Sequence, residues 1–192
     1  MSRFTRFSIY ALAVLALPAT ALLMGVRSLK ERDRPGIPTA MDAAKVATVP
    51  RPVIDRTKPT VVVLLGADLT EITDALGPYE MFARAGRYNV VTAAPSRQPT
   101  LLTGGIHILP HYSLAELDDT LGRAADIVVV PNLPNADAPM NRPVIDWIRR
   151  QAAAGSLIHS WCKGAMALAE TGLLDGHTAT AHWGDIRTLE KK

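Results

Sequence analysis

Four short runs rich in aliphatic and β-branched residues constrain this chain more than any other feature. They are TVVVLL (residues 60–65), NVVTAA (89–94), DIVVV (126–130) and SLIHS (156–160). Each is too short for a helix, and the first, bounded by Pro59 and Gly66, has no polar alternation at all. Such runs suit strands buried on both faces, the pattern of a parallel sheet covered on each side. Helical stretches separate them. ITDALGPYEMFARAG places Ile72, Leu76, Met81 and Phe82 at near-helical spacing, with a break or start expected at Gly77–Pro78. SLAELDDTLGRA opens on Ser113 with Glu116 three residues on, a capping box. MNRPVIDWIRRQAAAG ends at Gly155. PTLLTGGIHILPHY, residues 99–112, reads as a hairpin or an excursion turning at Gly104–Gly105. Strands alternating with helices predict an α/β architecture with a mainly parallel sheet.

Two other regions precede this domain, which is expected to occupy residues 59–192. Residues 7–26 carry no charge over twenty positions, enough for a helix to cross a bilayer core. Arg3 and Arg6 followed by Ala19–Thr20–Ala21 would also fit a signal peptide. The apolar run continues through Leu22, Leu23, Met24 and Val26, which favours an uncleaved single-pass anchor over residues 1–26. The flanking charges point both ways: Arg27, Lys30, Arg32 and Arg34 favour a cytoplasmic domain, and the short basic amino-terminal tail favours the opposite side. Residues 27–58, with Pro35, Pro38, Pro50 and Pro52, read as a proline-rich linker.

Charge narrows the partners. The net charge is +3 over the chain, made of +6 in residues 1–58 and −3 in residues 59–192. The basic character belongs to the amino-terminal tail, so the folded domain lacks the basic face a nucleic-acid binder needs, and no direct nucleic-acid partner is expected. The single cysteine, Cys162, excludes an internal disulfide and a four-cysteine zinc site. His159 lies three residues before it, but no third ligand stands at useful spacing, so neither a metal nor a cofactor is expected.

Cys162 sits where the strand SLIHS stops and a helix begins. A side chain at such a junction projects above the carboxyl edge of the sheet, where open α/β sheets place their sites. Unpaired amides and the positive end of a helix dipole are expected there to lower the thiol pKa. Small residues follow at Gly164 and Ala165, as a tight elbow requires.

Three blocks of the chain resemble the ThiJ/PfpI superfamily, whose fold is that of class I glutamine amidotransferases. TDALGPYEMF (residues 73–82) matches the acidic block after the first strand, CKGAMALAETGLLDG (162–176) the nucleophile elbow, and ATAHW (179–183) a histidine–tryptophan block. The likeness is to the branch of isonitrile hydratases and of the sensing domains of AraC-type regulators. It implies a flavodoxin-like, doubly wound sheet with a strand–nucleophile–helix elbow. It also implies Cys162 as the reactive cysteine, Asp74 as the acid that hydrogen-bonds it, and His182 as the nearby histidine. A protonated Asp74 would donate to the sulfur, because two adjacent anions are costly. Glu71 and Glu80 are rival carboxylates, Glu80 facing the elbow from inside its helix. Lys163, Gly164, Asn132 and Glu80 are expected to line the ligand pocket.

The chain departs from the pattern at Lys163, where this branch has threonine and the protease-like branch histidine, and at Asn132, where glycine is usual. The resemblance implies further strands and a helix after Trp183, so a domain incomplete at its carboxyl end, without the helix-turn-helix of the regulators, is expected. The expected function is a membrane-tethered domain with a reactive elbow cysteine, hydratase- or amidohydrolase-like on a small electrophile. The alternative is a non-catalytic ligand-sensing or regulatory domain. A homodimer is expected by resemblance.

Overall fold

A computed structural model of the chain describes Thr20 and residues 39–192. Apart from Thr20, the expected membrane anchor over residues 1–26 lies outside the described residues. Among the described residues no helix is long and apolar enough to cross a membrane.

Five strands form the central sheet: β1 (Thr60–Leu64), β3 (Asn89–Ala94), β6 (Tyr112–Ser113), β7 (Ile127–Val130) and β8 (Leu157–Ser160). Their order is β6-β3-β1-β7-β8, and every neighbouring pair is parallel. The chain moves outward from β1 through β3 to β6, then returns to add β7 and β8 on the other side. The order therefore reverses between β1 and β7, and α/β sheets open a crevice at the carboxyl ends of such strands.

A second, small sheet joins β2 (Leu69–Thr70), β4 (Thr100–Leu102) and β5 (His107–Ile108), with β2 and β4 parallel and β4 and β5 antiparallel. β4 and β5 form the expected hairpin. Its turn needs Gly104 and Gly105, which stand at φ 79° and 83°, a left-handed region that penalises any Cβ.

Period-two alternation sends successive residues of β1 to opposite layers. Val62 and Leu64 join Val91, Val128 and Val130 under three helices, α3 (Leu114–Leu121), α4 (Arg142–Ala153) and α5 (Gly164–Thr171). Val61, Val63 and Leu65 join Val90, Ala94 and Val129 beneath α2 (Ile72–Arg84), which supplies Ala75, Ile72, Leu76, Tyr79 and Phe82. β1 is buried along its whole length, as its unbroken aliphatic run requires. β8 differs from the expectation of a buried strand. It is the sheet's edge, its burial alternates, and Leu157 is 62% exposed.

α2 runs unbroken through Gly77–Pro78, the expected break. Pro78 is buried and cannot donate to the carbonyl of Asp74 four residues back, so the helix loses one bond without ending. Glu71 caps its start, accepting the Asp74 amide at 2.7 Å. The predicted capping box at α3 is present in both directions: Ser113 Oγ accepts the Glu116 amide and Glu116 Oε2 accepts the Ser113 amide.

The linker expected over residues 27–58 is no free tether in its described part. It forms a helix, α1 (Ala43–Thr48), and a strap against the domain. Arg97, only 8% exposed, donates to the carbonyls of Val46 at 3.1 Å and Val49 at 2.7 Å. Tyr112 donates its hydroxyl to Pro52 at 2.7 Å, and Asn89 donates to Asp55 at 2.8 Å. Prolines deny this segment a regular element of its own, and side chains of the domain satisfy its carbonyls instead. A last short helix, α6 (Ile186–Leu189), follows α5.

Candidate functional site

Three loops meet at the carboxyl ends of β1, β7 and β8. The loop after β8 is the elbow. Cys162 has φ 52°, among the described residues the one non-glycine in the left-handed region. Such a conformation is costly for an L residue and persists only where neighbours enforce it. They do so on both sides. Trp161 donates its amide to the Val130 carbonyl at 2.9 Å, extending the pairing of β8 with β7. Gly164 then donates to the Trp161 carbonyl at 2.7 Å and presses against β7 so closely that a Cβ would lie 2.1 Å from the Val130 oxygen. Gly164 is thus required for packing. Cys162, held between them, is exposed.

The start of α2 brings Asp74 and Glu71 to the same place. Asp74 is 8% exposed, and its carboxyl lies near enough to the Cys162 thiol for each to perturb the other's ionisation. The Asn132 amide, at the end of β7, donates to Asp74 Oδ2 at 3.2 Å, and the Asn132 carbonyl accepts the Glu71 amide at 3.0 Å. Asn132 thus acts through its backbone. Its side chain, which replaces the family's usual glycine, makes neither bond.

The electrostatics follow from this packing. Burial raises the Asp74 pKa above the ordinary carboxylate value, and the Glu71 charge adds to it, against the pull of the Asn132 amide. For Glu71 burial also acts upward, but hydrogen bonds from Thr73 and from the Asp74 amide outweigh it and hold that carboxylate low. Of the two acids, Asp74 therefore holds a proton the more tightly. The Cys162 thiol is also raised, first by desolvation and then by the Asp74 charge. This corrects the expected lowered value. The Lys163 amide does donate toward the sulfur, but one backbone dipole is weaker than desolvation with two neighbouring acids.

Three expected residues have partners of their own. Glu80 does not face the elbow: it is exposed on α2 and pairs with Arg84 at 2.9 Å. His182 reaches the elbow through its backbone, donating its amide to the Cys162 carbonyl at 3.3 Å, while its ring Nδ1 lies 3.2 Å from Asp185 Oδ2. Lys163 turns its ammonium to the same carboxylate, at 3.0 and 2.9 Å from its two oxygens. Asp185 escaped the sequence reading, although its place three residues after His182 within HWGD is the signal that finds it. Lys163, Asn132, Asp185, Leu133 and Met166 line a cavity of about 330 Å³ beside the elbow. Among the described residues no cluster of three metal-ligating side chains exists.

A buried carboxyl beside an exposed thiol can pass a proton to a small electrophile while sulfur attacks it. Comparison with known proteins places the chain in a family. The DJ-1/PfpI family profile matches residues 59–192. An isonitrile hydratase from Pseudomonas putida is 28% identical over 111 residues, covering 57% of this chain and 46% of the hydratase, so the match spans under half of that enzyme. A DJ-1 superfamily protein from Salmonella typhimurium is 29% identical with a TM-score of 0.53, covering 62% of this chain and 63% of that one. A ThiJ/PfpI family protein from Pseudomonas syringae shares the fold at a TM-score of 0.60 and 22% identity, covering 80% of this chain and 61% of that one.

Proposed function

The chain belongs to the DJ-1/PfpI family, and from that premise we propose that Cys162 and Asp74 add water to a small neutral electrophile, with an isonitrile as the substrate class. The observation that carries the proposal is the pairing of groups: a carboxyl raised by burial beside an exposed thiol at a left-handed elbow. An isonitrile carbon is attacked by sulfur and must gain a proton as the S–C bond forms. The thiol proton, relayed by Asp74, supplies it, giving a thioimidate. Water then adds to that carbon, the S–C bond breaks, and the thiol regains its proton as an N-substituted formamide leaves. No net oxidation occurs and no cofactor enters. The similarity to an isonitrile hydratase supports this substrate class. Residues 1–26 would hold the domain at a membrane.

The test is turnover of simple alkyl isonitriles by the wild type and by Cys162→Ser. Formamide production by the wild type and its loss in the variant are expected. Equal rates in the two would sink the proposal. A second reading, a ligand-sensing domain without turnover, is favoured by one observation: the thiol pKa lies above its ordinary value, so little thiolate is present at neutral pH. Saturable binding of an isonitrile without formamide would select it. Sedimentation of the full chain with membranes, and its loss in a chain starting at Arg27, tests the tether.

A further inference from the structure

This inference rests on the reading of Cys162 as the reacting thiol. Lys163 follows the cysteine directly, and its ammonium is the cation the chain could most easily offer a thiolate. It is held elsewhere, on both oxygens of Asp185. The same carboxylate faces the His182 ring, whose backbone amide clasps the Cys162 carbonyl. One acid thus collects both basic groups that flank the elbow. From the start of α2 the sulfur is faced by Asp74 and Glu71, both acids. From β8, His159 is turned against Trp161, with ring centroids 5.7 Å apart and planes 22° from parallel.

Asp185 is not otherwise occupied. It stands at the start of α6 but its side chain caps no amide there. The Lys163–Asp185 pair is partly exposed, so its contribution to stability is small, and its consequence lies in where it puts a charge.

We propose that Asp185 is a positioning residue that withholds the Lys163 ammonium from Cys162, leaving Asp74 as the group that governs the thiol's proton. Asp185 neutralises the charge that Lys163 brings beside the elbow. With Asp185 removed, the ammonium is free to approach the sulfur and to stabilise its anion.

The experiment is a pH titration of the Cys162 thiolate by its ultraviolet absorbance in the full chain, with Cys162→Ser subtracted. Asp185→Ala should lower the thiol pKa by about one unit, the lower end for an opposite charge brought close. Asp185→Asn, which keeps the side chain's shape, should lower it in the same direction, and Asp185→Glu should restore the wild-type value. The double variant Lys163→Met/Asp185→Ala should also titrate as the wild type does. A thiol pKa unchanged in both Asp185→Ala and Asp185→Asn overturns the proposal, as does a fall that persists without Lys163. The titration needs no substrate. A protein that shows these shifts but no turnover refutes isonitrile hydration alone; one that turns over isonitriles without the shifts refutes the role of Asp185 alone.

Discussion

At the scale of single residues, the elbow depends on what is missing as much as on what is present. Gly164 has no Cβ because the Val130 carbonyl occupies the space, so Gly164→Ala must push the elbow off β7. A loss of about 3 kcal/mol is expected, at the upper end for overpacking a tight contact, and urea denaturation measures it. Asp74 presents the opposite case, a residue whose chemistry works against stability. Its folded carboxyl binds a proton more tightly than the unfolded one does, so stability declines as pH rises from the ordinary aspartate pKa through the raised folded value. Asp74→Asn escapes that decline. Thermal melts should find the variant more stable than the wild type at neutral pH, with the advantage shrinking below the ordinary aspartate pKa, where the acid is protonated in both states. The same change should lower the Cys162 pKa by removing a neighbouring charge. It should also cut isonitrile turnover by roughly 10²- to 10⁴-fold, the usual value of a positioned proton carrier. A variant that is no more stable at neutral pH would show that Asp74 carries no buried strain.

At the scale of elements, what could be read in advance was what depends on local pattern. The aliphatic run of β1, the hairpin at Gly104–Gly105 and the box of Ser113 and Glu116 each declare themselves within a few residues. Ser113→Ala should therefore cost about 1 kcal/mol, the ordinary value of a lost cap, and leave the thiol pKa unmoved. A chemical denaturation midpoint equal to that of the wild type would count against the cap. Features set by tertiary neighbours were not legible. SLIHS looks like an interior strand, and only the strand order shows it to be an edge. Pro78 looks like a helix break, yet packing of α2 against the sheet carries the helix past it. Glu80 lies on the helix that delivers Asp74 but six positions later, about 600° around the axis at 3.6 residues per turn, which leaves it about 120° away from Asp74, on the exposed side of the helix. The site's location, at the carboxyl ends of adjacent strands, could be read from the motifs. The pairing of Lys163 with Asp185 could not, because side-chain partners across a loop leave no periodic trace.

At the scale of the whole molecule, the strap couples residues 39–58 to the far side of the sheet from the elbow. Arg97 is central to it: a buried guanidinium that donates to two carbonyls at the end of α1, where the helix's partial negative charge favours a cation. Its Nε has no partner among the described groups, so the arginine is held by the strap alone on that side. Beside it, His111 accepts the Thr92 amide through Nδ1, and burial first, then the Arg97 charge, hold its pKa below the ordinary histidine value. Arg97→Ala removes that charge and takes one donor from each of two carbonyls, of which Val46 keeps the Val49 amide. The expected result is a loss of about 1.5–3 kcal/mol, the ordinary value of hydrogen bonds to a charged group. Trypsin should cut faster at Lys45 and Arg56 while residues 59–192 survive as a fragment. The His111 pKa, followed by NMR, should move upward as the like charge disappears. If trypsin cuts the strap at the wild-type rate and His111 does not move, Arg97 does not fasten this segment. The strap would then be held by Tyr112 and Asn89 alone, through their bonds to Pro52 and Asp55.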